Sequence, residues 1–174
     1  MKKPHSITNQ QADRLIRRLE HRDQLLLRLA IETGLRISDL LKLKVSDIKK
    51  NMTVYETKSR RSRSFKISDE LFRDLKNFTR YKRHSSILFY SARNKQKSVH
   101  RSTIHRRIKK ACRGLKFNAS AHSTRKLFAR NVFHRTGTLK SVQETLNHRN
   151  LIVTLTYLDI DPAEILSQNG NGGV

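Results

Sequence analysis

Apolar residues at Ala12, Leu15, Ile16 and Leu19 recur at i, i+3, i+4, i+7, the spacing of one helical face, behind a capping-box pair, Thr8 and Gln11. A second, leucine-rich helix is expected from about Arg22 to a stop at Gly34, and a short third one carries Leu40, Leu41 and Leu43. The period then shortens toward two around Met52 to Glu56 and Ser64 to Ile67, which predicts a small antiparallel sheet joined by the basic connection Lys58 to Arg63. Helical spacing resumes at Leu71, Leu75 and Phe78, at Ile104, Ile108, Cys112 and Leu115, and at Phe128, Ala129, Val132 and Phe133. Shorter helices are expected over Leu139 to Leu146 and Leu151 to Leu158, with Asn150 as an N-cap. The pattern is that of one α+β domain, mainly α-helical, with loose ends at Met1 to Ile7 and about Ser167 to Val174.

Charge narrows the partner. The chain has 174 residues, with 38 Lys plus Arg against 14 Asp plus Glu, a formal charge of +24, and no acidic residue from Leu75 to Gln143. A polyanion is the expected ligand. A hydrophobic content of 36% separates this chain from a disordered basic tail. The single cysteine, Cys112, excludes an internal disulfide, and no Cys cluster suits zinc. No apolar run is long enough to span a membrane and the start lacks a signal-peptide core, so the expected compartment is cytoplasmic, with the nucleoid.

Six polar residues stand out in order: Arg36, Lys58, His122, Arg125, His148 and Tyr157. Arg125 shares a stripe with Phe128, Ala129 and Val132, and a guanidinium drawn toward a core needs an anion, which can be a phosphate or a structural carboxylate. His122, three residues earlier, faces the same way. Arg36 shares a face with Asp39, Leu40 and Leu43, so Asp39 is expected to hold its guanidinium rigid. Two guanidiniums on one phosphate suit the extra charge of a pentacoordinate transition state. Lys58, in a basic turn, is either an acid for a leaving oxygen or one more phosphate contact. Tyr157 is a candidate nucleophile or a packing tyrosine; as a nucleophile it needs nearby cations and a donor such as His148 to assist it.

The stretches TGLRISDLLKL, ETK, HSTRKLFA and LNHRNLIVTLTY, within a match from about Thr8 to Asp161, resemble the motif boxes of the tyrosine recombinase, or phage integrase, family. The resemblance implies a site-specific recombinase catalytic domain over residues 1–174, with a structured core of about 8–166 and without the N-terminal core-binding domain usual in the family. It implies that Tyr157 attacks a DNA phosphate to give a 3′-phosphotyrosyl enzyme, that Arg36, Arg125, His122 and His148 bind the phosphate, and that Lys58 is the general acid. Neither ATP nor Mg²⁺ is required by such chemistry, and no other cofactor or metal is expected. Asn147 stands where the family usually has Gly, Asp39 replaces the commoner Glu, and Lys126 follows Arg125 where His is frequent; none of the three removes a catalytic group.

The implied partner is double-stranded DNA, bound by a homo-tetramer assembled from free monomers, with the segment Asp161 to Gln168 docking on a neighbour. Arg60, Arg61 and Arg63 beside Lys58, and Arg101, Arg106, Arg107, Lys109, Lys110 and Arg113 on a helix, are expected to contact phosphates. His100 and His105, five apart, lie on different helical faces and are not expected to bind metal. Readings from other classes are a non-catalytic DNA-binding regulator on a recombinase scaffold and an RNA-binding basic protein. A type IB topoisomerase or telomere resolvase would share the chemistry.

Overall fold

Four leucines of one helix, Leu25, Leu26, Leu27 and Leu29, are at most 1% exposed, so this helix is covered on nearly every side and is the element around which the others pack. It is α2 (His21–Thr33), preceded by α1 (Asn9–Ile16) and followed by α3 (Ile37–Leu40), a 3₁₀ turn (Val45–Asp47), β1 (Asn51–Glu56), β2 (Arg61–Lys66), α4 (Asp69–Thr79), α5 (Arg101–Ala111), α6 (Ala121–Thr136), α7 (Leu139–Thr145) and α8 (Leu151–Leu158). The computed structural model describes residues 6–161. The expected loose ends, apart from Ser6 and Ile7, and all but the first residue of the 161–168 segment fall outside that range.

The expected mainly helical architecture with one small sheet is what the chain adopts. Boundaries differ in instructive places. The strands pair antiparallel with Met52 opposite Phe65 and Val54 opposite Arg63, so β2 begins at Arg61 and the connection shrinks to the tight turn Thr57–Arg60. Arg60 takes φ 54° there and donates its N–H to the Glu56 carbonyl. The third helix stops at Leu40, one turn long, before Leu41 and Leu43. Leu19 and Leu115 likewise lie past the ends of α1 and α5.

Caps read from sequence hold. Thr8 and Gln11 exchange bonds in a capping box, and the Asn150 side chain accepts from the Ile152 N–H at the start of α8. Gly34 ends α2 at φ 64°, and the Asn147 backbone is left-handed at φ 53°. A second apolar cluster, Phe128, Ala129, Val132, Val142, Leu146 and Leu158, joins α6, α7 and α8. Helix α6 packs on α2 as well, so it connects this cluster to the main core.

Gly34 lies at that connection, against Phe128 of α6. A Cβ at this position would lie 2.2 Å from the Phe128 ring, and the Gly34 carbonyl accepts a 2.5 Å hydrogen bond from Arg125. Substituting Gly34→Ala adds left-handed backbone strain to overpacking against Phe128, a cost of at least about 2 kcal/mol. Urea unfolding of the variant is expected to show that loss, whereas Gly137→Ala, where the left-handed φ of 70° meets open space, is expected to show only the smaller backbone cost.

Candidate active site

The inner face of β1 alternates Met52, Val54, Glu56, and the last of these is a carboxylate with no solvent exposure. Its Oε2 accepts from Arg36 Nη1 at 2.9 Å and lies 3.6 Å from Arg125 Nη1. Its Oε1 accepts from Asn147 Nδ2 at 3.2 Å and lies 3.2 Å from Arg63 Nε. Three guanidiniums thus surround one buried anion. Arg125, 1% exposed, is held further by the carbonyls of Gly34 and, at 2.8 Å, Leu146. Burial and the Arg36 charge hold its pKa below the ordinary value, with Glu56 and Tyr157 acting in the opposite direction.

In front of this cluster a cleft of about 710 Å³ is lined by Arg36, Lys58, His122 and Arg125, four of the six residues singled out by sequence. Arg36 is the N-cap residue of α3, Lys58 sits in the hairpin turn, and His122 and Arg125 are one turn apart at the start of α6. His122 is depressed below its usual pKa by burial and by the charges of Arg125, Arg36 and Lys58. His148 and Tyr157 do not line this cleft. They form a ring pair with centroids 4.9 Å apart, and both interact electrostatically with Arg125, which is the link between the two groups. Burial, Arg125 and Arg36 push His148 down to about 4, so its imidazole is neutral at pH 7. Its Nδ1 is 3.0 Å from the Thr154 hydroxyl.

Several expectations are corrected. Asp39 does not hold Arg36, because Arg36 is the N-cap of α3 with an extended backbone, ψ 141°, which takes its side chain off the helical face, and its guanidinium is bound by Glu56; instead Asp39 Oδ1 accepts from the Thr57 N–H at 3.3 Å, fixing the turn that carries Lys58. Lys42, not singled out by sequence, supports the same turn through a 2.7 Å bond to the Thr57 hydroxyl. Arg63 is not placed to contact DNA: strand alternation turns it inward, where it donates to the carbonyls of Thr33 at 2.6 Å and of Thr145. Burial lowers its pKa to about 10 against the opposing pull of Glu56. Arg107 lies on the same face of α5 as Ile104 and Ala111 and pairs with buried Asp23 at 2.8 Å, so it too is structural.

The remaining basic residues, Arg60, Arg61, Arg101, Arg106, Lys109, Lys110 and Arg113, are exposed, and Arg101 lines the cleft with His105 one turn on. Lys126 is also buried; it reaches Asp159, two residues after Tyr157, and so secures the end of α8 to α6. Among the described residues no group of three His, Cys, Asp or Glu side chains could hold a metal, and no helix is long and apolar enough to cross a membrane. Glu56 had a signal in the sequence: it is the acidic residue at an inward position of a strand two residues before Lys58.

These contacts set two expected outcomes. Replacing Arg63 by Met takes one charge partner from buried Glu56 and leaves the Thr33 and Thr145 carbonyls without their donor, so unfolding free energy should fall by about 2–4 kcal/mol, while Arg61→Ala should stay within about 0.5 kcal/mol in the same urea titration. For His148 the folded pKa, about 4, lies below the unfolded value of about 6.5, so the unfolded chain binds the extra proton and stability is lost as pH falls from about 6.5 toward 4. The drop in Tm between about pH 7.5 and about pH 5 should therefore be smaller in His148→Gln than in the parent protein.

Residues 5–164 match the model of the phage integrase family. The probable integrase/recombinase YoeC of Bacillus subtilis is 31% identical over 144 residues, covering 80% of this chain and 78% of that protein. The tyrosine recombinase XerA of Pyrococcus furiosus is 32% identical over 162 residues; these are 88% of this chain but 57% of the relative, so the chain spans little more than half of that recombinase. In fold, a crystal structure of XerA recombinase matches with a TM-score of 0.76 at 21% identity over 100% of this chain and 68% of the other. A lambda integrase tetramer bound to a Holliday junction matches with a TM-score of 0.71 at 20% identity, covering 92% of this chain and 49% of the other. With its family model spanning almost the whole chain, this protein belongs to the phage integrase family and is a tyrosine recombinase catalytic domain.

Proposed function

We propose that this domain cuts and rejoins duplex DNA at a defined site through a covalent 3′-phosphotyrosyl link. The observation that carries the reading is the paired presentation of Arg36 and Arg125 from a common buried carboxylate at the back of a basic cleft. A phosphate entering the cleft meets both guanidiniums, whose charges stabilise the extra negative charge of the five-coordinate phosphorus. The Tyr157 oxygen attacks phosphorus, its proton passes to water, and the bond from phosphorus to the 5′ oxygen breaks. Lys58 delivers a proton to that oxygen. His122 and neutral His148 donate hydrogen bonds to the phosphate rather than adding charge. Rejoining reverses the steps, with the 5′ hydroxyl attacking the phosphotyrosine, so the bond energy is retained throughout.

The exposed residues Arg60, Arg61, Arg101, Arg106, Lys109, Lys110 and Arg113 supply phosphate contacts that set affinity and register along the duplex. Strand exchange requires four protomers on DNA, in line with the tetrameric state of lambda integrase on a Holliday junction. The free chain is a monomer on this reading, and its compartment is the cytoplasm, where the nucleoid is accessible.

Covalent trapping tests the chemistry. The protein is incubated in EDTA with nicked suicide duplexes cut from DNA flanking its own gene, and a denaturation-resistant adduct is sought. The expected result is an adduct that disappears in Tyr157→Phe. Absence of an adduct on duplexes that the protein demonstrably shifts would favour a non-catalytic DNA-binding regulator instead.

A further inference from the structure

Glu56 takes no part in the steps above, yet it touches two of the groups that do. Its carboxylate is fully buried: Oε2 accepts from Arg36 and lies 3.6 Å from Arg125, and Oε1 accepts from Asn147 and lies 3.2 Å from Arg63. One negative charge against three guanidiniums leaves a surplus of two positive charges facing a cleft that accepts an anion. The contacts also run outward. Arg63 ties this carboxylate to the last residue of α2 through the Thr33 carbonyl and to the end of α7 through that of Thr145. Asn147, held left-handed at φ 53°, is the residue immediately before His148.

We propose that Glu56 is a positioning residue for DNA strand cleavage: it fixes the spacing of Arg36 and Arg125, sets the station of His148 through Asn147, and moderates how tightly the cleft holds a phosphate. This rests on the phosphotyrosyl reading. The two arginines come from different elements, the N-cap of α3 and the first turns of α6, and the only side chain that contacts both guanidiniums among the described residues is Glu56. Its removal frees the Arg36 guanidinium to follow the phosphate, while Arg125 stays on the carbonyls of Gly34 and Leu146, so the spacing between the two is no longer fixed. Ground-state binding then gains from one less negative charge, while the geometry needed for the five-coordinate state is lost.

The test separates binding from the cleavage step. Duplex affinity is read by mobility shift, and the single-turnover rate of adduct formation is read at saturating suicide duplex, for the parent protein, Glu56→Gln and Glu56→Asp, with the Tm of each measured alongside. Glu56→Gln should bind duplex at least as tightly as the parent but form adduct slower by on the order of 10- to 100-fold. Glu56→Asp, which keeps the charge on a shorter arm, should recover part of that rate. If Glu56→Gln does not fold, Glu56→Asp decides alone, with a slowed rate and unweakened binding expected. Adduct formation at the parent rate in any folded variant would overturn the proposal, as would a loss of affinity that accounts for the whole fall in rate. If the parent protein itself forms no adduct, it is the phosphotyrosyl reading that fails.

Discussion

A carboxylate removed from water must be surrounded by donors and positive charge, and in this fold two of the groups around Glu56, Arg36 and Arg125, also line the cleft. Burying such an ion costs several kcal/mol, and one guanidinium alone would barely offset that. Three guanidiniums and an amide do so, each from a different element: Arg36 before α3, Arg63 on β2, Arg125 on α6 and Asn147 after α7. The hairpin, the central helix and the C-terminal helices are therefore joined at one point. That point is the floor of the cleft, so the electrostatics that close the fold also prepare the site.

Tyr157, the proposed nucleophile, is held by different means. Tyr157 packs at the edge of the α6–α8 apolar cluster that includes Leu158, and Asp159 is drawn to Lys126. Lys126 follows Arg125 directly, so α6 secures both the Arg125 guanidinium and the end of the helix that carries the tyrosine. The exposed face of α8, by contrast, presents Leu151, Ile152 and Val153 outside the core.

Local rules made most of the elements legible. Caps at Thr8, Gly34 and Asn150 depend on a residue and its near neighbours, and each was readable before any contact was known. The six polar residues were legible from their order, and the structure brings four of them to one cleft and the other two to its flank. What failed was assigning partners to charges. Arg63 and Arg107 looked like phosphate contacts because their neighbours are basic, but strand alternation and helix phase turn both inward, toward Glu56 and Asp23. Those partners lie on a neighbouring strand and a distant helix, and helix spacing alone could not supply them. Asp39 was paired with Arg36 on a helical period, but Arg36 is the extended N-cap residue before α3 and does not share its face.

The central claim is that one phosphate of a bound duplex sits against Arg36 and Arg125 with Tyr157 able to reach it. The most direct measurement is a crystal structure of the Tyr157→Phe protein on an uncut duplex. The account predicts a single backbone phosphate hydrogen-bonded to both guanidiniums, with His122 and His148 beside it and the substituted ring facing the phosphorus on the side opposite the 5′ oxygen. A duplex whose backbone bypasses the cleft, leaving both arginines engaged only by Glu56, would contradict it.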